Sequence, residues 1–218
     1  MRTLIVASPL LLAHQAQAQT VDQGTLVVRQ GGREIGREEF AVQAGRAGGA
    51  QGSTIVTRGR FPAVSPVVAQ DATVERRTDG SFTSIQVLKE QGRKISRYIA
   101  EVTPRNVLRI HASSSGGSEG VREYPAVPNL VGMVDSSYAL FLAVADLSSS
   151  EGQTITALFP ASGRRATFTA TRTGGDQGGN SRIVMSGEIT GTIYLDPEGR
   201  LQRLEFPSLD LEAVRLRR

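Results

Sequence analysis

Residues 70–88 read QDATVERRTDGSFTSIQVL, and this stretch decides the fold class of the chain. Residues 70–78 run into Asp79 and Gly80 and residues 81–88 run out of them, and both runs are of β type. Asp-Gly between two such runs is a strong hairpin signal, because both central residues of the tight turn need positive φ. The stretch therefore predicts two antiparallel strands joined by a short turn.

The same pattern recurs along most of the chain. Turn signals at residues 31–32, 91–92, 162–163 and 196–199 each separate two strand-like runs. The sequence thus predicts a mainly β fold: a strongly curved antiparallel sheet or open barrel of about ten strands. A two-sheet sandwich is the alternative, since so many antiparallel strands must curl, close or stack.

One segment departs from this pattern and predicts a single helix at about 135–147. It has no Gly or Pro, and Leu140, Phe141 and Val144 recur at helical spacing. Asp135 or Ser136 is suited to cap its first turn. We expect the helix to pack on the concave side of the sheet.

Residues 1–18 have the pattern of a secretory signal peptide. Arg2 precedes a short apolar run, and residues 16–18 (AQA) form a small-x-small cleavage site. The prediction is a removed leader, residues 1–18, and a single β-rich domain, residues 19–218. The chain has no cysteine, so disulfides cannot stabilise it. From the leader pattern we expect a bacterial protein that is periplasmic or secreted, and the lack of a second long apolar run predicts no transmembrane helix in its mature form.

The charge pattern argues against a nucleic-acid partner. The formal net charge is +4, but the arginines are scattered. A nucleic-acid surface would combine clustered charge with interleaved aromatic residues.

The residue types present leave little room for catalysis or metal binding. After the predicted leader the only histidine is His111, too few for a zinc site of ordinary composition. A catalytic triad would have to use that histidine, and no Gly-x-Ser-x-Gly motif accompanies it. Paired carboxylates such as Glu38 and Glu188 keep a glycosidase-type hydrolase open as the weakest hypothesis. We expect no cofactor and no metal, and the composition disfavours an enzyme.

The two ends of the predicted domain resemble a known group of proteins. Residues 24–42 (GTLVVRQGGREIGREEFAV) and 194–215 (YLDPEGRLQRLEFPSLDLEAVR) resemble the opening hairpin and closing segment of exported bacterial domains of unknown function. That group is similar in shape to periplasmic lipoprotein-localisation factors. The resemblance implies a curved antiparallel sheet around an acyl-binding cavity closed by helices.

The sequence favours two functional hypotheses over a hydrolase. The first is a non-enzymatic binding protein for a lipid-like or other amphiphilic ligand, with Leu140, Phe141, Val144 and Phe168 as the predicted ligand-binding residues. The second is a structural or protein-interaction module of the envelope that uses an exposed sheet edge or apolar patch.

Overall fold

The computed structural model describes residues 19–47, 50–174 and 179–217. The predicted leader, residues 1–18, lies outside these ranges, so export stays a prediction. Within them the strands are β1 (Gln19–Gln30), β2 (Arg33–Ala47), β3 (Ala50–Phe61), β4 (Val68–Arg77), β5 (Phe82–Gln91), β6 (Lys94–Val102), β7 (Val107–Ser114), β8 (Glu119–Pro125), β9 (Leu130–Gly132), β10 (Gln153–Phe159), β11 (Arg164–Thr173), β12 (Ser181–Gly187), β13 (Gly191–Leu195), β14 (Leu201–Phe206) and β15 (Leu211–Arg215).

All of these strands belong to one sheet. Its order is β8-β7-β6-β5-β4-β3-β2-β1-β15-β14-β13-β12-β11-β10-β9. Consecutive strands are therefore adjacent in the sheet except β8 and β9, which form its two edges, and β1 pairs with β15. Every ladder is antiparallel except β9 with β10. The predicted hairpin chemistry is confirmed at the first turn, where Gly31 and Gly32 take φ of +57° and +73°, a conformation that glycine adopts without steric cost.

The prediction of about ten strands was too low, since the described residues form fifteen. β8 was missed because it is an edge strand with mostly exposed residues, so its sequence lacks apolar alternation. β9 has only three residues. The four glycines of residues 44–52 predict a loop, but residues 44–47 and 50–52 are strand, because β2 and β3 pair from Arg37 with Arg60 out to Ala47 with Ala50.

The sheet curls strongly without closing into a hydrogen-bonded barrel. Its two edges, β8 and β9, are not paired with each other. Gly132 of β9 instead lies over the inner face of β5, where a methyl group on it would stand 2.7 Å from Cε2 of Phe82. Side chains also connect the ends, since Arg122 of β8 donates to the carbonyl oxygen of Ser162 at 3.1 Å.

The inner face of the curl forms the core. On β4, for example, the buried positions are Val68, Gln70, Ala72, Val74 and Arg76, at a spacing of two. Three of these five side chains are apolar. The two exceptions, Gln70 and Arg76, are polar side chains on the buried face of β4.

The predicted helix is shorter than expected and lies inside the curl. Residues 137–147, hereafter the central segment, contain a 3₁₀ helix (Ala139–Phe141) and α1 (Leu142–Leu147). The central segment contacts distant parts of the sheet: the ring of Tyr138 lies 6.3 Å from that of Phe61 on β3, and the ring of Phe141 lies 5.2 Å from that of Phe206 on β14. A second 3₁₀ helix, Pro207–Leu209, joins β14 to β15.

Candidate functional site

The predicted ligand-binding residues lie together in the core. Leu140, Phe141 and Val144 of the central segment are 0%, 8% and 0% exposed, and Phe168 on β11 is 2% exposed. All four belong to the same cluster of buried apolar residues. The structure therefore confirms that they are buried in one core, whereas their contact with a ligand stays a prediction.

The start of the central segment is held by a carboxylate from β2. Glu38, which is 0% exposed, accepts hydrogen bonds from the Ser137 hydroxyl at 2.5 Å and from the backbone N–H groups of Tyr138 and Ala139 at 2.7 and 3.0 Å. The Ser137 hydroxyl also lies 3.2 Å from that of Thr57 on β3. These contacts satisfy N–H groups that the first turn of any helix leaves unpaired.

Burial dominates the electrostatics at this end. The pKa of Glu38 is raised, because removing the carboxylate from water disfavours its charged form more than the hydrogen bonds from Ser137, Tyr138 and Ala139 favour it. The pKa of the Tyr138 phenol is raised as well, by burial first and then by the charge of Glu38. A protonated Glu38 fits the geometry equally well, because one oxygen still accepts from both N–H groups and the hydroxyl can donate to Ser137.

Two arginines hold the other end. Arg76 on β4, only 3% exposed, pairs with the half-exposed Asp146 at 2.5 Å and donates to the Ser53 hydroxyl at 2.9 Å. Arg172 on β11 donates to the carbonyl oxygen of Ala145 at 2.6 Å. Positive charge at the C-terminal end of a helix is favourable because the last carbonyl groups lack partners. The central segment is thus held by polar groups at both ends and by apolar contacts between them.

The prediction that Asp135 or Ser136 caps the first turn of the helix was wrong. Asp135 and Ser136 are exposed, and neither caps a helix, since no side chain bonds locally at the starts of the 3₁₀ helix and α1. The cap comes from Glu38, about 100 residues away in sequence. From the sequence Glu38 is a candidate catalytic acid, and the signal for its capping role is that a charged residue stands at an inward position of β2.

The structure does not assemble the alternative carboxylate site. Glu188 is exposed beyond the end of β12, where its carboxylate accepts the N–H of Thr167 at 2.6 Å, whereas Glu38 is fully enclosed. The two therefore do not face a common cleft. His111 is exposed on β7, and the described residues contain no cluster of three potential metal ligands from His, Cys, Asp and Glu.

Within the same ranges the longest helix is α1, whose six residues fall far short of a membrane-spanning helix.

Comparison with solved structures finds a similar fold in a protein of a domain of unknown function. The chain is similar to the crystal structure of a β-barrel-like protein of the domain of unknown function DUF1849 from Brucella abortus, with a TM-score of 0.51 and 10% identity, over 89% of this chain and 95% of that one. It also matches a DUF1089 family protein from Pseudomonas aeruginosa with a TM-score of 0.43 and 13% identity, over 95% of this chain and 98% of that one.

No family model and no curated protein matches the sequence. The first structural likeness supports the expected β-barrel-like fold and concerns the fold alone. The comparisons give no support to the expected likeness to lipoprotein-localisation factors.

Proposed function

We propose that the chain is an exported, non-enzymatic binding protein of the bacterial envelope, which takes an apolar or amphiphilic ligand into the space filled by the central segment. The observation that carries this proposal is the way that segment is held. Nine consecutive residues, 137–145, are buried inside the curl, yet the contacts in the middle of the segment are apolar and non-directional. An acyl chain provides contacts of the same kind.

The polar contacts at the two ends support an exchange. Glu38, Arg76 and Arg172 are side chains that the sheet directs at the segment from β2, β4 and β11. If the segment moves out, these groups stay on the strands of the sheet and reach water or a ligand. When the ligand leaves, the hydrogen bonds of the segment with Glu38, Arg76 and Arg172 form again and favour the closed state.

The open sheet supports the same proposal. Because β8 and β9 are not joined by a ladder, the curl can widen without breaking backbone hydrogen bonds between its ends. The side-chain contact of Arg122 with Ser162 is the kind of link that opens at low cost, since it lies at the surface. Export is supported by the leader pattern of residues 1–18.

A disulfide that locks the central segment tests the proposal. The hydroxyl oxygens of Thr57 and Ser137 lie 3.2 Å apart, and the chain has no cysteine of its own, so a Thr57→Cys/Ser137→Cys double variant can form one unambiguous bond. Binding of a fluorescent fatty-acid analogue is measured with the oxidised and the reduced protein. The reduced form is the matched control, because both forms lack the Ser137 hydroxyl.

We expect the reduced variant to bind the probe and the oxidised variant to bind at least about tenfold more weakly, which corresponds to about 1.4 kcal/mol. Equal binding by both forms would contradict the proposal. Native mass spectrometry of the unmodified protein gives an independent check, in which we expect copurified lipid. Fractionation of cells that make the full chain tests export, with a cytoplasmic product as the contrary result.

A specific observation also favours the second candidate, a protein-interaction module. Strand β8 ends the sheet, six of its seven residues are exposed, and Val121 is 58% exposed. Such an edge is a template for an added strand. Photo-cross-linking from position 121 in the envelope would favour this candidate if it traps one identified protein that position 184 does not, since Val184 on β12 is 39% exposed but not on an edge strand.

A further inference from the structure

A row of polar residues crosses the inner face of the sheet. The ladders place Glu38 opposite Gly59, Gly59 opposite Gln70, Gln70 opposite Lys89, and Lys89 opposite Ser96. Residues opposite each other across a ladder project from the same face, and neighbouring strands lie about 4.8 Å apart. The row is unusual at Gln70, because the inward neighbours of Gln70 on β4, Val68 and Ala72, are both buried and apolar.

Gln70 is the strongest evidence that this row binds something. Its residue is 1% exposed, and neither its amide nitrogen nor its amide oxygen has a hydrogen-bond partner among the described residues. Nearly all buried polar groups in native proteins are paired, so an amide with both ends unpaired needs an explanation. One explanation is that a bound ligand supplies the polar group that pairs with this amide, and the residues next to Gln70 fit such a ligand.

Lys89 supplies the charge. It is half-buried beside Gln70, and none of the ion pairs found among the described residues involves its ammonium group. Ser96, on its other side, is 6% exposed. An ammonium group between an amide and a hydroxyl is a set of donors that suits a carboxylate or phosphate oxygen.

The acidic end of the row is screened from this set. The ring of Phe61 occupies the space over Gly59, where a methyl group would stand 2.7 Å from its Cε2 atom and 3.4 Å from Cγ of Gln70. An aromatic ring therefore separates the Glu38 carboxyl group from the Gln70 amide. Burial also raises the pKa of Glu38, which favours its uncharged form.

Apolar residues continue directly from the polar row. The next inward positions on β4, β5 and β6 are Ala72, Val87 and Tyr98, which oppose one another in the ladders. Ala72 and Val87 are 2% exposed, and Tyr98 packs against the same core. The inner face thus changes from polar to apolar along the strands, as an amphiphile does along its length.

We propose that Gln70, Lys89 and Ser96 form a head-group site for a single-chain amphiphile whose head group is a carboxylate or phosphate. This inference rests on the proposed function and names its ligand class. The head group accepts hydrogen bonds from the Gln70 amide, the Lys89 ammonium group and the Ser96 hydroxyl. The alkyl chain then lies along the inner face toward the space of the central segment.

Titration calorimetry with matched probes at pH 8 tests the proposal. The probes are dodecanoate, dodecyl phosphate, dodecanol and inorganic phosphate. The variants are Lys89→Met and Gln70→Leu, with Arg97→Met as the control, because Arg97 is exposed on the opposite face of β6 and carries the same charge. Circular dichroism and the melting temperature check that each variant folds.

We expect dodecanoate and dodecyl phosphate to bind about tenfold more tightly than dodecanol, the size of one charge-assisted hydrogen bond. Lys89→Met should abolish this preference and Arg97→Met should keep it. Gln70→Leu should weaken binding of the anionic probes about threefold or more without lowering the melting temperature, because it removes an unpaired buried amide.

The outcomes separate the two proposals. Equal affinity for dodecanoate and dodecanol in the unmodified protein overturns the head-group site and leaves the proposed function standing. Failure of all three alkyl probes to bind overturns the proposed function and this site with it. Competition by inorganic phosphate at the same concentration would also overturn the proposal, since it would indicate an ion site without a tail.

A second measurement does not depend on variants. The chain has two lysines, Lys89 and Lys94, and Lys94 is exposed at the start of β6. Acetylation followed by mass spectrometry should show Lys89 protected at least about fivefold by bound dodecanoate, with Lys94 modified at an unchanged rate as expected for a side chain in solvent. Equal rates at Lys89 with and without the probe contradict the site.

Discussion

Replacing Glu38 with glutamine tests whether the carboxyl group that caps the central segment is held neutral by burial. In the native protein one oxygen accepts from the N–H groups of Tyr138 and Ala139, and the other lies 2.5 Å from the Ser137 hydroxyl. Glutamine has the shape of the protonated acid. Its carbonyl oxygen can accept both N–H groups, while its NH₂ donates to Ser137, whose own hydroxyl turns to Thr57.

The direction of the pH effect follows from the raised pKa of Glu38. A group whose pKa is higher in the folded state stabilises that state fully below its unfolded pKa, and this stabilisation is lost as the pH rises through the folded pKa. The unfolding free energy of the unmodified protein should therefore fall, relative to Glu38→Gln, as the pH rises above the ordinary value of 4.5. The slope approaches about 1.4 kcal/mol per pH unit while the native state holds one more proton.

Urea denaturation of both proteins at pH values from 4 to 8 measures this difference. We expect nearly equal stability at pH 4 and a more stable Glu38→Gln variant at pH 8. Glu101→Gln is the matched control, because Glu101 is exposed on β6 and its replacement should change the unfolding free energy by less than about 0.5 kcal/mol. If Glu38→Gln becomes relatively less stable as the pH rises, the carboxylate is ionised in the fold and the reasoning is wrong.

Comparing Glu38→Ala with Glu38→Gln separates the effect of the cap from that of the charge, because alanine removes both and glutamine removes only the charge. It leaves two buried N–H groups without an acceptor, at about 1–3 kcal/mol each. We therefore expect it to lower the unfolding free energy far more than Glu38→Gln at pH 4. Similar losses for both variants at that pH would show that the two N–H groups do not depend on this side chain.

Three further predictions concern single contacts, each measured by urea denaturation. Asp146→Asn should lower the unfolding free energy by about 1–3 kcal/mol, because it leaves the buried Arg76 guanidinium without its counter-charge; the half-exposed position of Asp146 keeps the loss moderate. A double variant that also carries Arg76→Met should recover part of this loss. No recovery would show that the two side chains are not coupled. Gly132→Ala should cost about 1–3 kcal/mol through the clash with Phe82, and a neutral result would mean that β9 does not lie on β5. Gly32→Val should cost about 1–2 kcal/mol because its φ is +73°, whereas Gly32→Asn should be nearly neutral; equal losses would point to a steric cause in place of the backbone conformation.

The candidate site was only partly predictable. The apolar stripe with Leu140 and Val144 was predicted from helical spacing, and the structure buries both residues. The contacts that hold the ends of the central segment were not predictable, because Glu38 and Arg76 lie on strands that are about 100 and 70 residues away from their partners. Nothing in the local sequence of either strand distinguishes an inward charged residue with a partner from an ordinary surface charge.

The sequence by itself determined where the hairpins lie, although at Asp79 and Gly80 only Gly80 takes a positive φ, +79°, so the expectation that both turn residues do so was wrong there. At Asp79 and Gly80, for example, β4 ends and β5 begins within a few residues of the predicted positions, and Gly80 N–H donates to Arg77 at 3.0 Å. Turn geometry and alternation are local properties, so a window of about ten residues carries the whole signal. The pairing of β1 with β15, the curl that places Gly132 on β5, and the alignment of Gln70 with Lys89 are set only when the strands assemble. They depend on the accumulated twist and register of many strands, which no single window contains.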